Sequence, residues 1–138
     1  MKIKELMHNG AEVSAPTTSV QNLAKAMKDK DIGAVAIVEN NHLIGMVTDR
    51  DIVLALAEGR DLSTLTAHDV MSRDVATCHD TDHVHDALHT METRRIRRLP
   101  VLDHSKKMVG MVSLGDISHK APHDLASKMV KAVSASHA

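Results

Sequence analysis

Two stretches carry a hydroxyl and a carboxylate three residues apart behind an apolar run: Gly45-Met46-Val47-Thr48-Asp49-Arg50-Asp51 and Gly110-Met111-Val112-Ser113-Leu114-Gly115-Asp116. Each run reads as a strand passing into a helix. Thr48 and Ser113 then stand at the junction, where their hydroxyls and the free N–H groups of a first helical turn face an anion or a ligand. Asp51 and Asp116, one turn on, can accept hydrogen bonds from both hydroxyls of a ribose, each charge-assisted bond contributing about 1.5–3 kcal/mol. The same T-x-x-D and S-x-x-D spacing also describes a reciprocal helix cap that needs no ligand. The two readings are compatible, since one carboxylate can cap in the empty protein and accept when occupied.

A phosphate would need a cation, and Arg94-Arg95-Ile96-Arg97-Arg98 directly precedes the apolar run Leu99-Pro100-Val101-Leu102. A solvated helix end, where cations favour the terminal carbonyls, is the competing account of this cluster. Cys78 to His89 is rich in metal-ligand types, and His85 with His89 has i, i+4 spacing suited to zinc. It presents no closed four-ligand pattern, so a polar, solvated face is expected there. No nucleophile elbow, phosphate-cradling glycine loop or zinc-protease motif occurs, and no catalytic machinery is expected.

The elements that must hold these residues repeat. A shift of 64 sets Met7 on Met71, Thr17 on Thr81, Val20 on Val84, Met27 on Met91 and Ile32 on Ile96. Beyond a polar turn the shift is 65, and Gly45, Met46, Val47, Asp51 and Ile52 fall on Gly110, Met111, Val112, Asp116 and Ile117. The extra residue lies between residues 39–42 and 103–107, where a hairpin turn tolerates insertion without flipping strand faces. In each copy a helical stripe (Val20, Leu23, Ala24, Met27; Val84, Ala87, Leu88, Met91) precedes two short β-branched runs and a second helix. Ser19 is the expected cap of the first helix, Thr81 or Asp82 that of its counterpart, and Gly59 the residue closing the helix after Asp51. The order is strand, helix, strand, strand, helix, twice. The division expected is copy one at 1–59, a linker at 60–67, copy two at 68–133 and a flexible tail at 134–138.

Lys and Arg number 17 against 18 acidic residues, which leaves no excess positive charge for a run of nucleic-acid phosphates. Phe, Tyr and Trp are absent, so a bound base must rest on aliphatic side chains, methionine sulfur or backbone. One cysteine, no signal-like leader and no apolar run of membrane-spanning length lead to an expectation of a soluble, cytoplasmic protein.

The paired motif, the element order and the preceding hairpin together resemble the tandem CBS domain family, the Bateman module, over nearly the whole chain. The resemblance implies an α/β (α+β) fold of two β-α-β-β-α repeats related by pseudo-twofold symmetry, with an adenine nucleotide in the cleft between them. It implies that Thr48, Asp51, Ser113 and Asp116 hold ribose, and that Arg97 and Arg98 reach phosphate. Ile32 and Ile96, with the segments around Glu12 and Ala76, would frame the base. Met46 and Met111 would line the same clefts or pack in the core. Gly33 and Ala34 match the two arginines in copy one, so the copy-two site is expected to suit phosphate better. The implied ligand is AMP, ADP or ATP, with S-adenosylmethionine an option; no cofactor is required. A homodimer is implied, with Ile52, Val53, Leu54 and Leu56 as its surface, together with an unidentified protein target. Two other classes stay open: a ligand-free dimerisation module, and a metal or pH sensor built on residues 79–89.

Overall fold

A computed structural model describes residues 1–9, 12–120 and 126–135. In chain order these form a 3₁₀ turn (Ile3–Glu5), β1 (His8–Asn9), β2 (Val13–Ser14), α1 (Val20–Lys30), β3 (Ala34–Glu39), β4 (His42–Thr48) and α2 (Asp49–Ala57). Then follow α3 (Ala67–Val70), β5 (Cys78–His79), α4 (Val84–Arg94), β6 (Arg98–Leu102), β7 (Met108–Ser113), α5 (Leu114–Lys120) and α6 (Ala126–Ala135). The strand, helix, strand, strand, helix order is present twice, as β2-α1-β3-β4-α2 and β5-α4-β6-β7-α5.

The chain makes two compact units, one of Glu12–Val75 and one of Met1–Ala11 with Ala76–Ala138; they are called here the Thr48 unit and the Ser113 unit. In the Thr48 unit, β2, β3 and β4 form a sheet in that order, β2 parallel and β4 antiparallel to β3. Val20, Leu23, Val35, Ile37 and Val47 are fully buried around it. In the Ser113 unit the sheet runs β1-β7-β6-β5 over Ile3, Leu6, Leu88, Met91, Leu99 and Ile117. With no aromatic ring available, β-branched and leucine side chains and methionine fill both cores, each large side chain contributing about 1.5–3 kcal/mol on full burial.

Each unit combines the body of one copy with the lead segment of the other, and the hydrogen bonds repeat at the 64-residue spacing. Ala67 N–H donates to Thr18 O at 2.7 Å, as Ile3 N–H does to Asp82 O at 2.9 Å. His68 N–H donates to Pro16 O at 3.0 Å, as Lys4 N–H does to Asp80 O at 2.9 Å. Residues 60–67 therefore do more than join the copies: Leu62 and Leu65 pack on the core of the Thr48 unit and Ala67 is fully buried in it. Of the terminal stretch, Ser134 and Ala135 complete α6, and residues 136–138 lie outside the described residues.

Most local expectations hold. Ser19 caps α1, its hydroxyl accepting from Asn22 N–H at 3.1 Å, and Gly59, at φ 76°, follows α2 in the left-handed conformation that glycine adopts without strain. The cap of α4 is different: it is His83, whose Nδ1 accepts from His85 N–H at 3.1 Å, and neither Thr81 nor Asp82. The Asp82 carboxylate turns back to accept from His79 N–H at 2.9 Å, and the repeat places His83 where Ser19 stands.

Candidate functional site

Both strand-to-helix junctions form the reciprocal cap. In the Thr48 unit, Thr48 N–H and Oγ1 donate to Asp51 Oδ2 at 2.8 and 3.1 Å, and Asp51 N–H donates back to Thr48 Oγ1 at 3.3 Å. In the Ser113 unit, Ser113 N–H donates to Asp116 Oδ2 at 2.8 Å and Asp116 N–H to Ser113 Oγ at 3.1 Å. The cap uses one carboxylate oxygen and leaves the other for a second partner. Here the units part. Among the described residues no donor reaches Asp51 Oδ1, whereas Asp116 Oδ1 lies 2.6 Å from Nε2 of His8.

His8 was not among the residues the sequence picked out. It sits on β1, which pairs antiparallel with β7 through His8 opposite Met111 and Asn9 opposite Gly110. The repeat contained the clue, because the alignment of Met7 with Met71 sets His8 on Ser72, and Ser72 bridges Met46 as His8 pairs with Met111. The motif glycines belong to the same arrangement. A methyl group on Gly110 would stand 2.5 Å from the carbonyl oxygen of His8, and one on Gly45 would stand 2.5 Å from Sδ of Met71. These glycines admit the crossing lead segment.

The other residues of interest divide cleanly between the units. The Thr48 unit holds Glu12, Ile32, Met46, Thr48 and Asp51; the Ser113 unit holds Ala76, Ile96, Arg97, Arg98, Met111, Ser113 and Asp116. Met46 is buried, Met111 half-buried, and Ile32 and Ile96 are partly buried against their respective cores. The Glu12 carboxylate pairs with Lys30 of α1, and its carbonyl accepts from Ala36 N–H at 3.2 Å. In the Ser113 unit Pro100 replaces Ala36 and has no N–H to give, so β5 begins its pairing one residue later, with Cys78 opposite Val101. Arg98 stands directly opposite Ser113 in the ladder, on the same sheet face. Ala34 stands opposite Thr48. Arg97 is exposed, and its carbonyl accepts from Leu114 N–H at 2.8 Å, as Gly33 O does from Asp49 N–H at 3.0 Å.

The CBS domain family model matches residues 3–58 and again residues 67–123. The chain belongs to the CBS domain family. Among CBS proteins, YhcV of Bacillus subtilis is 37% identical over 117 residues, 84% of this chain and 82% of that protein. An uncharacterised Methanopyrus kandleri protein, MK0525, is 31% identical over 92% of this chain, which spans 66% of its length. Hypoxic response protein 1 of Mycobacterium tuberculosis is 31% identical over 94% of this chain and 92% of its own. The Hypoxic Response Protein I structure, solved with two coordinated zinc ions, superposes with TM-score 0.81 over 88% of this chain and 100% of that one. The CBS domain pair of MJ0100, solved with 5′-methylthioadenosine and S-adenosyl-L-methionine, is 28% identical with TM-score 0.79, over 86% of this chain and 98% of that one.

The histidine-rich stretch of this CBS protein contributes a helix cap and a ring contact. His83 caps α4 and stacks on His85, ring centroids 4.8 Å apart at 20°. Among the described residues no group of three or more His, Cys, Asp or Glu is disposed to hold a metal ion. The Cys78 thiol is buried in the core, and that burial, aided by the nearby Asp82 charge, pushes its pKa up to about 12. Of the apolar residues after Asp51, Ile52 belongs to the core, while Val53, Leu54 and Leu56 are exposed. No described helix is long and apolar enough to cross a membrane.

Proposed function

We propose that this CBS pair is a regulatory module that senses an adenosyl ligand, AMP, ADP or ATP in the first instance and S-adenosylmethionine as an alternative. Thr48 with Asp51, and Ser113 with Asp116, accept from the ribose hydroxyls. Arg97 and Arg98 meet phosphate in the Ser113 unit. Glu12, Ile32 and Met46 in one unit, and Ala76, Ile96 and Met111 in the other, frame the base by backbone and aliphatic contact. The observation that carries this reading is the carboxylate held by one oxygen in a cap, with its second oxygen left outside the cap, twice at the same place in the repeat. The adenosyl compounds bound by the MJ0100 pair support the ligand class. The exposed Val53, Leu54 and Leu56 on α2 supply a homodimer surface.

Thermal unfolding with AMP, ADP, ATP, S-adenosylmethionine and methylthioadenosine tests the reading. A binder present at 100 times its Kd raises stability by about 2.7 kcal/mol. Free of Trp and Tyr, the protein barely absorbs at 280 nm, so a 260 nm band surviving purification also reports a bound base. Asp116→Asn is expected to weaken AMP binding more than Asp51→Asn, because only the Ser113 unit has the arginines. Equal losses would remove that asymmetry, and no saturable shift with any of the five at millimolar concentration would remove the function.

A further inference from the structure

Asp116 is the one buried charged residue among those described, 9% exposed, and a carboxylate taken out of water needs a partner on each oxygen. The Ser113 backbone N–H donates to Oδ2 at 2.8 Å, and His8 Nε2 lies 2.6 Å from Oδ1, at ion-pair distance. The two partners have different standing. The first is fixed in the backbone of a strand end. The second is the tip of a side chain that is 71% exposed, on a two-residue strand, and it can rotate into water while the β1–β7 pairing stays in place. In the Thr48 unit the corresponding residue is Ser72, which shares the register of His8 by its bridge to Met46. Its side chain makes no hydrogen bond to Asp51, and Asp51 Oδ1 has no donor among the described residues.

We infer that His8 is an affinity- and site-determining residue: a built-in stand-in for a ligand hydroxyl, which holds the Asp116 acceptor until a ribose displaces it. The inference rests on the ribose-binding reading of Asp51 and Asp116. Binding at Asp51 adds hydrogen bonds to an open oxygen. Binding at Asp116 exchanges the His8 contact for a ribose hydrogen bond and gains less. His8 thereby narrows, without cancelling, the phosphate advantage of Arg97 and Arg98, so that two chemically unequal sites differ less in the ligand concentration at which they fill.

The test exchanges the two residues and uses AMP as probe, followed by isothermal titration at a single remaining site. In an Asp51→Asn background, His8→Ser is expected to tighten AMP binding about three- to tenfold, the range for losing one largely exposed charge-assisted competitor. In an Asp116→Asn background, Ser72→His is expected to weaken AMP binding by a comparable factor. Circular dichroism and the reactivity of Cys78 follow the fold, and a purely structural role for His8 would lower stability without tightening any site. Tighter binding in the first variant and weaker binding in the second support the proposal. If AMP binds but His8→Ser leaves the affinity unchanged or lowers it, the stand-in role is wrong while the function survives. If AMP, S-adenosylmethionine and methylthioadenosine all fail to bind the parent protein and every variant, the ribose reading falls and the inference falls with it. Binding that appears only after His8→Ser is the strongest supporting outcome.

Discussion

The Thr48 and Ser113 units are built from the same parts in the same order, and they differ at four places within each site. Arg98 faces Ser113 where Ala34 faces Thr48. Pro100 stands where Ala36 donates to the Glu12 carbonyl. His8 holds Asp116 where Ser72 leaves Asp51 open. Backbone approaches Gly110, where a methionine side chain approaches Gly45. Much of the scaffold, by contrast, repeats: the paired lead-segment hydrogen bonds from Ala67 and Ile3 and from His68 and Lys4, the reciprocal N–H bonds of the strand-to-helix caps, and the strand irregularities at Ile37/Val38 and Val101/Leu102. Duplication has conserved what makes a unit fold and has let vary what faces the junction.

The largest effect expected is chemical. With its thiol pushed up to about 12, Cys78 should be alkylated at pH 8 on the order of a thousandfold more slowly than a free cysteine. Its rate therefore reports opening of the Ser113 unit alone, and a rate close to that of a free thiol would mean that this unit opens readily. Next come the glycines. Gly110→Ala drives a methyl group into the His8 backbone and should cost about 3 kcal/mol, while Gly45→Ala meets first the flexible end of Met71 and should cost about 1 kcal/mol. Urea unfolding followed by circular dichroism measures both. Cys78 alkylation should accelerate only in the first, and equal costs would break the distinction between a backbone and a side-chain neighbour. The smallest effect is symmetric: Thr48→Ala and Ser113→Ala should each lose about 1 kcal/mol of stability through the cap. A large inequality between them would show that the shared cap is not equivalent in the two units.

Much of this was legible in the chain. The stripe of Val20, Leu23 and Met27, the matching stripe from Val84, and the short β-branched runs gave the helices and hairpins, because periodicity encodes which face is buried. The cap at α4 was not legible: histidine is an unusual capping residue, and Thr81 and Asp82 offered commoner chemistry next to it. Nor was the role of the motif glycines, since nothing in a glycine names its neighbour. His8 is the sharpest case. It lies 108 positions before Asp116, and its importance depends on β1 joining β7.

The sequence by itself determined the duplication, the element order, the family and the hydroxyl–carboxylate pairs, since each is written in local spacing or in self-similarity. Tertiary structure alone decided that the lead segment of each copy completes the other copy's unit, that Ile52 is core while Leu56 is exposed, and that one of two equivalent carboxylates already has a partner. These are matters of contact between residues distant in the chain, and a pattern of local preferences has no means to specify them.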